Sequence, residues 1–239
     1  MQQQVKYIHT TEVHNLNAPG EVVPYLIELF KPESVLDVGC GTGTWLKVFH
    51  DHGVKDIKGL DGDFVNIQLL RENLSVEQFH AAELAAPFDL KRKFDLVISL
   101  EVAEHLPETA ANKFIESLTK HADTIVFSAA LPGQGGQNHL NEQWKKYWID
   151  KFSALNFKVY DILREKFWNN NKVDWWYKQN MLVFSRKDLS SIPASHQLIL
   201  EAIHPGLLHQ NLNYIIYLKN YIKELETKLY ELDQIRNHS

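Results

Sequence analysis

The chain has 239 residues, a formal net charge of -5, 44 % hydrophobic residues, six tryptophans and one cysteine, Cys40. That length accommodates one sizeable α/β domain with an appendage, and six tryptophans argue against disorder. A lone cysteine excludes an intrachain disulfide, the mild charge without a basic run makes nucleic acid a poor partner, and no run approaches the ~18 apolar residues of a membrane span.

Residues 1–16 are polar and unpatterned, and Met1-Gln-Gln-Gln-Val-Lys6 lacks the apolar core of a signal peptide, so a cytoplasmic protein is expected. Asn17-Ala-Pro-Gly-Glu21 reads as a helix start, with Asn17 as cap and Pro19 in the first turn. Val22, Val23, Leu26, Ile27 and Phe30 give that helix an apolar face, and Pro32 ends it. A strand is expected at about residues 33–38, where Val35, Leu36 and Val38 suit burial on both faces of a parallel sheet.

Gly39, Gly41 and Gly43 follow at every second position, and Trp45, Leu46, Val48 and Phe49 then suggest a helix. Strand, glycine turn, helix lets backbone approach a ligand closely and aims helix N–H groups at it. A dinucleotide fingerprint would place its third glycine where Thr44 stands, and a Walker loop needs Lys followed by Ser or Thr. Asp37, two residues before the first glycine, disfavours an anionic pyrophosphate and suits a cationic or amino-bearing ligand.

The second strand is expected over Ile57–Asp61, which brings Asp61 to a strand end about 20 residues after the turn, well placed for a ribose diol. Asp63, two residues on, reads as a surface or secondary contact. A third strand is expected over Val76–Ala82, followed by Glu83-Leu84. Phe94–Leu100 reads as a buried central strand, with Glu101, Glu104 and His105 clustered at its C-terminal end. In doubly wound sheets ligands bind at that edge. A helix at about 108–121, with Phe114, Ile115 and Leu118 inward, leads to a fifth strand over Thr124–Ala130. The loop Leu131-Pro-Gly-Gln-Gly-Gly-Gln-Asn-His-Leu-Asn-Glu-Gln-Trp144 then places His139, Asn141, Glu142 and Trp144 at the start of the next helix. Loops this rich in polar and aromatic chemistry are more often functional than connective. Phe157–Leu163 and Trp175–Phe184 read as the sixth and seventh strands.

Ser34-Val-Leu-Asp-Val-Gly-Cys-Gly-Thr-Gly-Thr-Trp45 and Phe94-Asp-Leu-Val-Ile-Ser-Leu-Glu-Val-Ala-Glu-His-Leu-Pro107 together resemble two motifs of class I S-adenosylmethionine-dependent methyltransferases. The resemblance covers about residues 17–185. It implies an α/β fold, a Rossmann-like seven-stranded sheet with helices on both faces, whose seventh strand is antiparallel, over residues 1–186. It implies S-adenosyl-L-methionine held by Asp37, Gly39, Gly41, Gly43, Asp61, Glu83, Leu84 and Leu100, with Asp61 at the ribose and Glu83-Leu84 at the adenine. Glu83 is longer than the usual Asp and reads nearly as well as an exposed loop carboxylate. For an alcohol acceptor the natural base is a neutral histidine. His139 is the candidate, with Glu142 orienting it or binding acceptor hydroxyls; the alternative is a local helix cap. His105 either lines the acceptor site or packs locally. A divalent metal through Glu101, His105 and His139 lacks a compact ligand motif, and none is expected.

The 131–144 loop with Trp175-Trp-Tyr-Lys-Gln-Asn180 is similar to methyltransferases of glycan-building clusters, which implies a sugar hydroxyl as acceptor. Trp175, Trp176 and Tyr177 then either wall the acceptor or pack structurally. A small metabolite acceptor, or a non-catalytic scaffold acting through the C-terminal helix, are the alternatives.

From Lys187 the composition shifts to a linker, Asp188-Leu-Ser-Ser-Ile-Pro193, and residues 187–239 form the expected extension. Ile215, Leu218, Ile222, Leu225, Leu229 and Leu232 make a heptad seam, mostly Ile at a and Leu at d, which favours a parallel two-stranded coiled coil. Lys228 at g and Asp233 at the following e position would pair across it. A homodimer or a glycosyltransferase partner is expected there; packing back on the domain is the alternative.

Overall fold

A computed structural model describes residues 10, 13–192 and 202–237. Two compact units divide between Ala202 and Ile203. The first is an α/β sandwich built in the order α1 (Asn17–Phe30), β1 (Ser34–Val38), α2 (Thr44–Asp51), β2 (Asp56–Asp61), α3 (Ile67–Asn73), β3 (Phe79–Ala81), β4 (Leu96–Leu100), α4 (Ala111–His121), β5 (Thr124–Ser128), α5 (Lys145–Ser153), β6 (Lys158–Tyr160), α6 (Arg164–Phe167), α7 (Trp175–Asn180) and β7 (Leu182–Ser185).

The seven strands lie in the order β3-β2-β1-β4-β5-β7-β6. β1 pairs parallel with both β2 and β4, β5 pairs parallel with β4, and β7 runs antiparallel to β5 and β6. Alternation along each strand fills two cores. Val35, Ile98, Val126 and Val183 pack against Leu26, Phe49 and Leu70 on one face. Leu36, Val97, Phe127 and Phe184 pack against Phe114, Leu118 and Phe152 on the other. Strands covered on both faces need apolar residues at every position, which is why period-two alternation is missing from the sequence. Chain order reverses between β1 and β4, so the C-terminal ends of the parallel strands flank a topological switch point.

Several boundaries differ from the sequence reading. Asn17 is the first helical residue rather than the cap; Asn15 Oδ1 accepts from the Asn17 N–H at 2.8 Å. The third strand keeps only Phe79–Ala81, because Ser75 and Gln78 form a reciprocal capping box that winds Val76–Gln78 into a 3-10 turn. Helix α4 begins at Ala111, behind a 3-10 turn over Glu108–Ala110. The fifth strand ends at Ser128, and the sixth covers only Lys158–Tyr160. The largest correction is Trp175–Asn180, read as strand and found as helix α7, with β7 starting at Leu182. Aromatic residues suit strands, but this run contains no β-branched residue, and coiling it buries Lys178, Gln179 and Asn180.

The second unit is α8, a single helix over Pro205–Asn237. Along it Tyr214, Tyr217 and Tyr221 stack in sequence, with centroids 6.3 Å apart at each step. Part of the linker, residues 193–201, and the side chain of Asp233 lie outside what the structure describes. Among the described residues no helix is long and apolar enough to cross a membrane.

Candidate active site

The glycine turn leaves β1 with all three glycines left-handed, at φ 84°, 52° and 79° for Gly39, Gly41 and Gly43. Sterics reinforce conformation: a Cβ on Gly39 would come within 2.2 Å of Val102, and one on Gly43 within 2.7 Å of Leu74. The turn is stitched to β2, where Gly39 N–H donates to Leu60 O at 2.7 Å and Gly41 N–H to Asp61 Oδ2 at 2.7 Å. Asp61 Oδ1 accepts from Gly62 N–H at 2.6 Å. Burial pushes the Asp61 carboxyl up to about 6, against the pull of these two N–H donors.

Asp37 lies beside this turn on β1, 3 % exposed, and its Oδ2 has no hydrogen-bond partner among the described residues. Burial first, then the charge of Asp61, pushes its carboxyl well above the usual range. Two buried carboxylates at one glycine turn favour a cationic ligand with hydroxyl or amino donors. Leu84 follows β3 with its side chain buried in the core that also holds Leu60 and Val102, whereas Glu83 is exposed and accepts the Ala85 N–H on its Oε1 at 3.1 Å. Leu100 ends β4 at the switch point.

Beyond Leu100 the chain turns sharply. Glu101 sits left-handed at φ 56° with its N–H shared between Ser128 O (3.1 Å) and Ser128 Oγ (3.0 Å). A non-glycine residue in that conformation stores strain, a frequent mark of functional sites. Its carboxylate accepts from Gln134 Nε2 at 2.7 Å and Asn180 Nδ2 at 3.1 Å, and Asn180 also donates to Gln134 Oε1 at 2.8 Å. These amides, from a loop and from α7, were not read as site residues. Amide partners at such sequence separations leave no local pattern.

The second cluster lies at the same sheet edge. Val102–His105 leads through a 3-10 turn over Ala103–His105, and Glu104 O accepts the N–H groups of Leu140 and Asn141 at 2.8 and 3.0 Å. That pair of bonds folds the glycine-rich loop over the turn and sets the rings of His105 and His139 edge to face, 4.8 Å apart. His139 Nδ1 lies 2.8 Å from Glu142 Oε1, which also accepts from Gly135 N–H, while Oε2 accepts from Gly133 N–H, both at 2.8 Å. A carboxylate oxygen can only accept, so Nδ1–H faces Glu142, and in the neutral imidazole Nε2 is the bare nitrogen. Helix α5 starts at Lys145, six residues past His139, so His139 does not cap it. An open depression of about 500 Å³ is lined by Gly135, Gly136, Asn138, His139, Leu140 and Glu142.

Tyr177 packs edge-on to Trp45 at 5.3 Å, and Trp175 and Trp176 contact one another at 5.5 Å. Burial, then the charge of Glu101, raises the Tyr177 hydroxyl, which stays protonated. A separate depression at the opposite sheet edge, between Phe30, Asp95 and Lys187, shares none of these groups.

The model of the methyltransferase domain family matches residues 13–171. A ribosomal protein L11 methyltransferase of Staphylococcus saprophyticus is 34 % identical over 92 residues, 37 % of this chain. The chain spans only 29 % of that relative's length. Among solved structures, the sugar N-methyltransferase KedS8 of Streptoalloteichus superposes with a TM-score of 0.59 at 14 % identity, covering 79 % of this chain and 99 % of that one. CalS10, an amino pentose methyltransferase of Micromonospora echinaspora solved with S-adenosylmethionine bound, superposes at 0.56 and 16 % identity, covering 78 % and 100 %. At identities this low the superpositions show a shared fold alone.

Proposed function

This chain belongs to the methyltransferase domain family, and we propose that it is an S-adenosylmethionine-dependent O-methyltransferase acting on a sugar hydroxyl of a glycan or nucleotide-sugar. The carrying observation is that one sheet edge holds both the Asp37–Asp61 glycine turn and the His139–Glu142 pair. Sulfonium charge and ribose hydroxyls complement the two buried carboxylates at one end. A hydroxyl proton needs a bare ring nitrogen, which His139 Nε2 supplies at the other.

The chemistry is an in-line displacement. The acceptor oxygen forms a bond to the methyl carbon, the carbon–sulfur bond breaks, and sulfur keeps the electron pair as a neutral thioether. The hydroxyl proton passes to His139 Nε2, and Glu142 stabilises the imidazolium through Nδ1–H. Alignment of the three atoms supplies up to about 7–11 kcal/mol and the base roughly 10²–10⁴-fold. In the same reading His105 lines the acceptor pocket beside His139, and the seam on α8 joins a second copy or a glycosyltransferase.

Methyl-labelled S-adenosylmethionine offered with nucleotide-sugars, free glycans, phenolic metabolites and RNA tests the assignment. Label on a sugar hydroxyl, lost in His139→Ala, is the expected result. Label on RNA or a phenol alone overturns the sugar acceptor. Failure of S-adenosylhomocysteine to bind in calorimetry overturns the cofactor.

A further inference from the structure

Glu104 is fully buried, and its carboxylate oxygens make no hydrogen bond of full geometry among the described residues, the backbone N–H groups of Glu104 and Ala130 being the donors nearby. An ionised carboxylate in that position costs several kcal/mol unless something cationic meets it. Two imidazoles stand beside it at the sheet edge: one ligand atom each from Glu104, His105 and His139 lies within 4.8 Å of the others.

We propose that Glu104, His105 and His139 form a divalent-cation site at the acceptor end of the cleft. Four features converge on it. Two imidazoles and one carboxylate make a donor set suited to Mn²⁺, Fe²⁺, Co²⁺ or Zn²⁺, and one that leaves coordination positions open. The Nδ1–H of His139 is held by Glu142, the outer carboxylate that commonly fixes the tautomer and orientation of a metal-bound histidine. Gly136 lies against the other ring edge and fits there only without a side chain, since a Cβ would come within 2.3 Å of His139 Nε2. The Leu140 and Asn141 bonds to Glu104 O join the two ligand-bearing segments, so the donors come from one braced unit. Metal–nitrogen bonds of about 2.1 Å put neighbouring donors roughly 3–3.4 Å apart, a contraction that side-chain rotation can supply.

The inference rests on the acceptor-end reading above and alters one role within it. With the cation bound, His139 Nε2 is a ligand, and the open positions take acceptor hydroxyl oxygens; base catalysis by His139 then belongs to the metal-free protein.

The test titrates Mn²⁺ alone into the EDTA-treated full chain and follows the free-ion signal by electron paramagnetic resonance. About one bound equivalent per chain is expected, weakened by at least about 10–100-fold in Glu104→Gln and His105→Asn, and by a similar factor in Glu142→Gln, the outer partner. Glu104→Gln keeps the side-chain volume, and an unfolding midpoint of the metal-free variant within the wild-type range shows that loss of binding is not loss of fold. A wild-type chain that binds no Mn²⁺, or binding that survives equally in all three variants, overturns the site. Mn²⁺ bound in this pattern without S-adenosylhomocysteine binding supports the site while overturning the cofactor reading.

Discussion

His139 Nδ1 lies 2.8 Å from Glu142 Oε1, and the same carboxylate gathers the N–H groups of Gly133 and Gly135 at 2.8 Å each. One side chain thus sets both the tautomer of the imidazole and the path of the loop that carries it. Loop geometry and proton chemistry are coupled through Glu142.

Replacing His139 by Ala is expected to lower turnover about 10²–10⁴-fold, the usual contribution of a positioned base, and to leave S-adenosylhomocysteine affinity unchanged. Glu142→Gln brings an amide NH₂ against donors that need an acceptor, and should lower turnover as well. Steady-state kinetics beside calorimetry separates the two ends of the site; normal turnover in His139→Ala removes it from catalysis.

Asp61 makes a pH-dependent contribution with a definite sign. Its folded-state pKa of about 6 exceeds the usual 3.8 because burial penalises the charge. The folded protein therefore holds that proton more tightly than the unfolded chain. The stability this confers is complete below about pH 3.8 and is lost as pH rises through about 6, up to about 3 kcal/mol. Urea midpoints of wild type minus those of Asp61→Asn should fall across that window; a flat or rising difference contradicts the burial argument. Cofactor affinity should run oppositely, growing as the carboxylate ionises, by about fivefold between pH 5 and 6 and about tenfold in all by pH 7, levelling above.

Asn180→Leu removes a donor shared by Glu101 and Gln134, which keep their own direct bond. Leaving those acceptors short of a partner costs about 1–3 kcal/mol, to be read from denaturant unfolding. Because Glu101 is held in a left-handed conformation at the switch point, turnover should also fall. Unchanged stability would mean that water replaces the amide.

Ile222→Asp in α8 places a charge at the centre of the heptad seam. Light scattering of the full chain is expected to report a smaller species than wild type, with S-adenosylhomocysteine affinity unaltered. An unchanged mass would leave the seam without a role in assembly.

Much of this protein is set by short-range pattern. Val35–Val38, the glycines at 39, 41 and 43, Asp61 at the end of β2 and the apolar run to Leu100 carry strand, turn and strand in contiguous residues, so fold class and the glycine-turn edge were legible from the chain alone. Local backbone demands, such as φ of 84° at Gly39, select residue types that a reader can see.

What only the tertiary structure decided depends on residues far apart. Helix α7 departs from its aromatic strand propensity because coiling Trp175–Asn180 delivers Asn180 to Glu101, 79 positions earlier. The nearness of the buried Glu104 carboxylate to His139 goes with the loop bonds to Glu104 O, and no spacing rule anticipates it. Sequence specifies what each segment prefers by itself; which polar groups are stranded without partners, and which meet across the switch point, is settled only when the segments pack.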